Sequence, residues 1–217
     1  MRYLLLALAL FSIQSYSAQK VFNKSEISPI PSEKQPVRSI YLIGDAGEAP
    51  DDQSGVKILG PMLQLDPEAS VIFLGDNIYP RGLHKKSDER RTEDEASIIA
   101  QMDVVKGHKG PAFFIPGNHD WEQGKPDGRD MVKRQQKFVE DYLGDDDHFM
   151  PDKACPGPEI VEVGDVVIIA IDTQWWLHRH EKSIGEADGC NVLDAAGFMV
   201  DFKEALKKYR AINTWWW

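Results

Sequence analysis

Three apolar runs in this chain each break off at a glycine that is followed at once by an oxygen-bearing side chain. VRSIYLI runs into Gly44-Asp45-Ala46-Gly47, VIFL into Gly75-Asp76-Asn77-Ile78-Tyr79, and PAFFIP into Gly117-Asn118-His119-Asp120. Short runs rich in Val, Ile and Phe, bounded by Gly, Asp and Pro, read as strands. Between them, Val56–Leu65 and Glu93–Val105 carry apolar residues at helical spacing and stop ahead of Asp66-Pro67 and Gly107. From Asp45 to Asp76 is 31 residues and from Asp76 to Asn118 is 42, lengths that suit strand–helix–strand units with right-handed crossovers. The chain is therefore expected to be α/β. Open α/β sheets bind ligands beyond the carboxyl ends of their strands, so the three polar blocks should share one rim.

The remaining pattern fills in a layered α/β fold with mixed sheets. Val37–Ile43 is the first strand, Val71–Leu74 reads as a strand covered on both faces, and Ala112–Ile115 is the third. Gly60-Pro61 predicts a kink or break in the first helix. Lys85–Glu95 is densely charged and reads as a solvated loop and helix start. Asp130–Leu143 is an amphipathic helix, Ile160–Val163 and Val166–Ile171 flank the hairpin signal Gly164-Asp165, and Ala195–Tyr209 is a final helix.

At the N-terminus, Met1-Arg2-Tyr3 precedes an apolar stretch from Leu4 to Ile13, and Ser15 and Ser17 are small residues spaced for cleavage. Residues 1–17 thus read as a secretory signal peptide, too short to span a bilayer. Residues 18–36 are a polar, proline-bearing leader, and 37–217 form the folded domain. With 217 residues and 42% hydrophobic content the chain can bury a real core. A net charge of −10 argues against a nucleic-acid backbone or an anionic membrane as partner, but not against a small phosphorylated substrate. No membrane anchor is expected. Cys155 and Cys190 are an even count in an exported chain, which favours one disulfide.

The polar blocks suit two-metal hydrolysis of a phosphate ester. That chemistry needs a bridging carboxylate, hard ligands on either side, an activated hydroxide and a proton source for the leaving group. Asp76 is the natural bridge, Asp45 serves one metal, Tyr79 offers a phenolate suited to trivalent iron, and Asn118 offers an amide oxygen to the second metal. His119 is the candidate proton donor or transition-state stabiliser, oriented by a carboxylate such as Asp120. Arg81 and His84 follow closely enough to touch a phosphate, with loop roles equally open to them.

With these residues in place, the chain resembles the calcineurin-like metallophosphoesterases, and among them the purple-acid-phosphatase (tartrate-resistant acid phosphatase) type. That type is marked by Asp-x-Gly, Gly-Asp-x-x-Tyr and Gly-Asn-His-Asp/Glu blocks, and the resemblance covers roughly residues 37–174. It implies an α/β/β/α sandwich and a binuclear centre of Fe(III) with Fe(II), Zn(II) or Mn(II). It implies an exported, acid-phosphatase-like hydrolase of phosphate monoesters, with a phosphodiesterase or nucleotide hydrolase of the same fold as the alternative. The diesterase branch usually carries Asp-x-His in the first block. Gly47 stands there instead, which favours the tyrosine–iron branch.

The family's two later histidine blocks are not found. The sequence ends at Trp215-Trp216-Trp217, just after the last helix. The expectation is a C-terminally shortened form of a longer enzyme, with weak binding of the second metal and little turnover, or a catalytically inactive binding fragment. His178-Arg179-His180 has His-x-His spacing without the preceding glycine and is expected to be a surface or packing feature near Trp175 and Trp176 rather than a ligand pair.

Overall fold

The computed structural model describes residues 38–48 and 54–209. The expected signal peptide, the leader and the terminal tryptophans lie outside the described residues. Among the described residues five strands and six α-helices follow one another: β1 (Ile40–Ile43), α1 (Ser54–Leu65), β2 (Ser70–Phe73), α2 (Arg91–Val105), β3 (Ala112–Phe114), α3 (Gly128–Leu143), β4 (Glu159–Val163), β5 (Val166–Ala170), α4 (Thr173–Leu177), α5 (Gly185–Asp188) and α6 (Ala195–Tyr209).

The first three strands form a parallel sheet in the order β1-β2-β3. Ile43 pairs with Phe73, and Phe73 with Phe114, so all three strands end level. Parallel neighbours need crossover connections, and α1 and α2 supply them. The period of two along a strand then sorts the side chains. Val71 and Phe73 of β2, with Ala112 and Phe114 of β3, join Leu59 and Leu63 of α1 and Ile98 and Met102 of α2 in the main core. The alternate residues Ile72 and Phe113 join Val163 and Ala170 of the β4–β5 hairpin in a second cluster with Met150. Both faces of β2 are thus covered, as its unbroken apolar run requires. The Phe73 and Phe114 rings stack at 4.4 Å across the strand pair.

The helix α1 runs through Pro61, where the sequence predicts a break. Pro61 is exposed, while Val56, Leu59 and Leu63 are buried. Burial of that stripe outweighs one lost backbone hydrogen bond. The hairpin pairs antiparallel from Glu159↔Ala170 to Val163↔Val166, turning at Gly164-Asp165 as expected. Cys155 and Cys190 form a disulfide, which ties the segment before β4 to the segment after α5.

Candidate functional site

Main-chain hydrogen bonds lock the first polar block to the second, and the Asp120 and Asp76 carboxylates lock the second to the third. Asp45 N donates to Gly75 O (3.1 Å), Gly47 N to Asp76 O (2.9 Å) and Tyr79 N to Gly47 O (3.0 Å), which zips the first block to the second. Any side chain at residue 47 would collide with this zip, because a Cβ there would lie 2.5 Å from Asp76 O and Ile78 N. The same holds between the second and third blocks, where a Cβ on Gly117 would lie 2.3 Å from Asp76 Oδ1. From α2, the buried Gln101 amide donates to Ala46 O (3.1 Å) and Asn77 O (2.7 Å), bridging the first two blocks from below. Sequence reasoning passed over Gln101. Its signal was a polar residue set into the apolar stripe of Ile98, Met102 and Val105.

On this frame Asp45, Asp76 and Tyr79 converge. Both aspartates have left-handed backbones, φ 56° and 53°, a conformation that side-chain-bearing residues adopt rarely and that the surrounding hydrogen bonds must enforce. The Tyr79 hydroxyl lies 2.7 Å from Asp45 Oδ1 and 3.2 Å from Asp76 Oδ2. One hydroxyl carries one proton, so a single hydrogen serves two carboxylate oxygens, and lone pairs face each other across the remaining contact. Burial, the hydrogen bond to Asp45 and the charge of Asp76 together push the phenol well above its ordinary pKa. An oxygen set rich in lone pairs and short of protons suits a hard cation, which would reverse that shift.

His119 closes one side. Its backbone N donates to Asp76 Oδ1 (2.9 Å), and its ring lies 4.2 Å from the Tyr79 ring, centroid to centroid. Its Nδ1 sits 2.7 Å from Pro80 O. A carbonyl only accepts, so Nδ1 carries a proton and Nε2 is the nitrogen left for proton exchange. Gln123, also unforeseen, approaches the same ring, with Nε2 3.3 Å from Nδ1. Asn118 is exposed between Gly117 and His119, and its carbonyl accepts from Gln123 N (2.8 Å).

Asp120 does something other than the expected orienting of His119. It is fully buried, and it accepts from Gly117 N (2.8 Å), Asn77 N (3.1 Å) and Ile78 N (3.2 Å). Its carboxylate therefore clamps the second block to the third, and Pro80 holds the His119 ring in its place. Burial pushes Asp120 up to about 7, against the pull of those N–H donors. Behind it lies a second buried carboxyl, Asp172. It accepts from Trp121 Nε1 (2.7 Å) and caps α4 by accepting from Trp175 N (3.1 Å). Burial also pushes Asp172 up to about 7.

The weaker candidates separate from this rim. His84 Nδ1 lies 2.7 Å from Asp94 Oδ2 on α2, a pairing that holds the loop. Arg81 is exposed. His178 is 1% exposed and packs on Trp121 at 4.8 Å, the packing role of the two roles open to this segment, while His180 is exposed.

Among the described residues, no group of three or more His, Cys, Asp or Glu side chains is placed to hold a metal ion. Two carboxylates and a phenol fit one hard cation, and the imidazoles of a binuclear centre do not join them among the described residues. No described helix is long and apolar enough to cross a membrane. No family model matches the chain, and no curated protein matches it.

Proposed function

We propose that this chain is an exported, metal-dependent hydrolase of phosphate monoesters, built on the layered α/β/β/α sandwich of the metallophosphoesterases. The observation that carries the reading is the meeting of Asp45, Asp76 and Tyr79 around a single shared proton at the level ends of parallel strands. Asp45, Asp76, Tyr79 and Asn118 would hold the metal. When bound, it supplies Lewis acidity toward a phosphoryl oxygen and toward water. The chain's own part is positional: the backbone N of His119 fixes Asp76, and the anchored ring presents Nε2 for proton transfer to the leaving oxygen. The disulfide fits an oxidising compartment and so supports export.

A second reading, a catalytically inactive binding fragment, draws support from the lack of a larger ligand group among the described residues. One experiment separates the two. Metal content, the visible spectrum and hydrolysis of an aryl phosphate monoester are measured on the purified chain and on Asp76→Asn. Bound iron, zinc or manganese, a tyrosinate-to-iron absorption band and turnover, all lost in the variant, support the hydrolase. A metal-free, colourless protein with turnover equal to the variant's overturns it.

A further inference from the structure

Away from the carboxylate rim, a groove of about 580 Å³ is lined by α2, α3 and the loop between Tyr79 and α2. Its size falls within the range of small-molecule sites. Lys85, Lys86, Arg91, Lys133, Arg134 and Lys137 line it, and none of Asp45, Asp76, Tyr79 or His119 does. Six cations on one groove stand out in a chain whose net charge is −10.

The groove's own carboxylates do not cancel them. Glu95 is taken up by Arg91 Nε (2.6 Å) and Asp141 by Lys137 Nζ (2.9 Å), and Lys133 Nζ lies 4.0 Å from Asp188 beyond the groove, which leaves Asp130 as the lining carboxylate among Lys85, Lys86, Lys133 and Arg134. The two guanidiniums are held on consecutive carbonyls of one loop. Arg91 Nη1 donates to His84 O (2.5 Å) and Arg134 Nε to Leu83 O (3.0 Å). Burial opposes the charge on Arg134, as to a smaller degree does the nearby Arg91, while Asp130, Asp127 and Glu122 favour it. Two guanidiniums held on one loop beside four lysines make a wall that a polyanion would complement. Between the charged groups the wall is carbon, including the rings of Phe138 and Tyr142, and Arg91 already lies 5.3 Å over the Phe138 ring.

We propose that this groove is a second site, which binds a nucleoside polyphosphate. The phosphates are held by Lys85, Lys86, Lys133 and Arg134, and the base or sugar lies on the apolar wall of Phe138. The proposal is independent of the hydrolase reading, because its residues and its probe are different.

The test is calorimetric titration of the full chain with ATP, with inorganic pyrophosphate and with inorganic phosphate. Low salt and a chelator keep any metal at the rim from contributing. ATP is expected to bind more tightly than pyrophosphate, and pyrophosphate more tightly than phosphate. Binding is expected to weaken with added salt. Lys85→Ala/Lys86→Ala and Arg134→Gln should each weaken ATP about tenfold, and Asp76→Asn should leave it unchanged. Lys85 and Lys86 are exposed, so the double variant keeps its fold and decides the matter even where Arg134→Gln unfolds. No saturable binding of ATP by the folded chain, equal binding by the double variant, or loss of binding in Asp76→Asn would each overturn the site. Pyrophosphate binding as tightly as ATP would overturn the role of the apolar wall.

Discussion

The carboxylate rim and the cationic groove are built in opposite ways. The rim is made largely by backbone: the first two strand-end loops are zipped by main-chain hydrogen bonds, the third is clamped to the second through main-chain N–H groups on the Asp120 and Asp76 carboxylates, and residues 47 and 117 have no room for a Cβ. The groove is made by side chains, on the faces of α2 and α3 and the loop Leu83–Lys86. The rim gathers negative charge with one shared proton, and the groove gathers six cations against the three lining carboxylates Glu95, Asp130 and Asp141. A backbone-built site holds its groups to a fixed geometry, as chemistry demands. A site built from long, mobile side chains accepts and retains.

That contrast breaks most sharply at Asp76. Asp76→Asn removes one of the two carboxylates at the Tyr79 hydroxyl. Metal content and phosphatase turnover should fall by more than about 100-fold, since even outer partners of metal ligands cost 10–100-fold. ATP binding in the groove should not move. Atomic absorption, a monoesterase assay and calorimetry on one preparation read all three, and a parallel loss of ATP binding would merge the two regions into one site.

The next largest effect lies under the rim. Folded Asp172 keeps its proton to about pH 7, whereas its ordinary pKa is 3.8. Between those values the folded chain holds one more proton than the unfolded chain, so this group's contribution is greatest below about pH 4 and is lost as pH rises through 7. The span is at most about 4 kcal/mol. Denaturant titrations from pH 4 to 8 should show stability falling; Asp120, also raised to about 7, contributes a fall of the same sign, so Asp172→Asn should reduce the slope without abolishing it. A slope unchanged by the variant would remove Asp172 from the account.

What the sequence made legible follows the same division. The rim could be read because its chemistry is compressed into contiguous blocks: each of Gly44–Gly47, Gly75–Tyr79 and Gly117–Asp120 carries its own strand-end signal and its own ligand types. The disulfide could be read from a count of two. The role of Asp120 could not, because an acid after His119 is the same letter whether it points at the ring or back onto Gly117, Asn77 and Ile78. The short helix α4 was missed for a related reason: its cap is Asp172, but its start is recognisable only once Trp121 and Trp175 are seen on that carboxylate. The groove was illegible in principle. Lys85 and Lys86 read as part of a solvated charge run, and Lys133 and Arg134 as the polar face of an amphipathic helix. Only the packing of α2 beside α3 makes them neighbours. Pro61 shows the converse, a strong local signal overruled by the burial of Leu59 and Leu63.

Gly47→Ala sharpens the claim that the rim is backbone-built. The added methyl carbon would meet Asp76 O and Ile78 N at 2.5 Å, and both are main-chain atoms that cannot swing aside. The zip between the first two blocks must open, at a cost of about 3 kcal/mol. Denaturant unfolding should show that loss together with weaker metal binding, while Gly55→Ala, with open space around it, should show neither. Equal stability of the two variants would mean that the rim is not held by this contact.

The smallest effect is expected where the two regions meet. His84 lies on the loop that leaves Tyr79 for the groove. Its ring and backbone N both reach Asp94 Oδ2, and its carbonyl accepts from Arg91. His84→Ala takes away the ring partner of a carboxylate that is 1% exposed but keeps both backbone contacts. About 1 kcal/mol of stability should be lost. The loop that holds Arg91 should loosen, so ATP should bind more weakly, while metal content stays at the parent value because the Tyr79 contacts with Asp45 and Asp76 do not pass through His84. A change in metal content with ATP affinity intact would reverse that order, and would make this loop part of the rim.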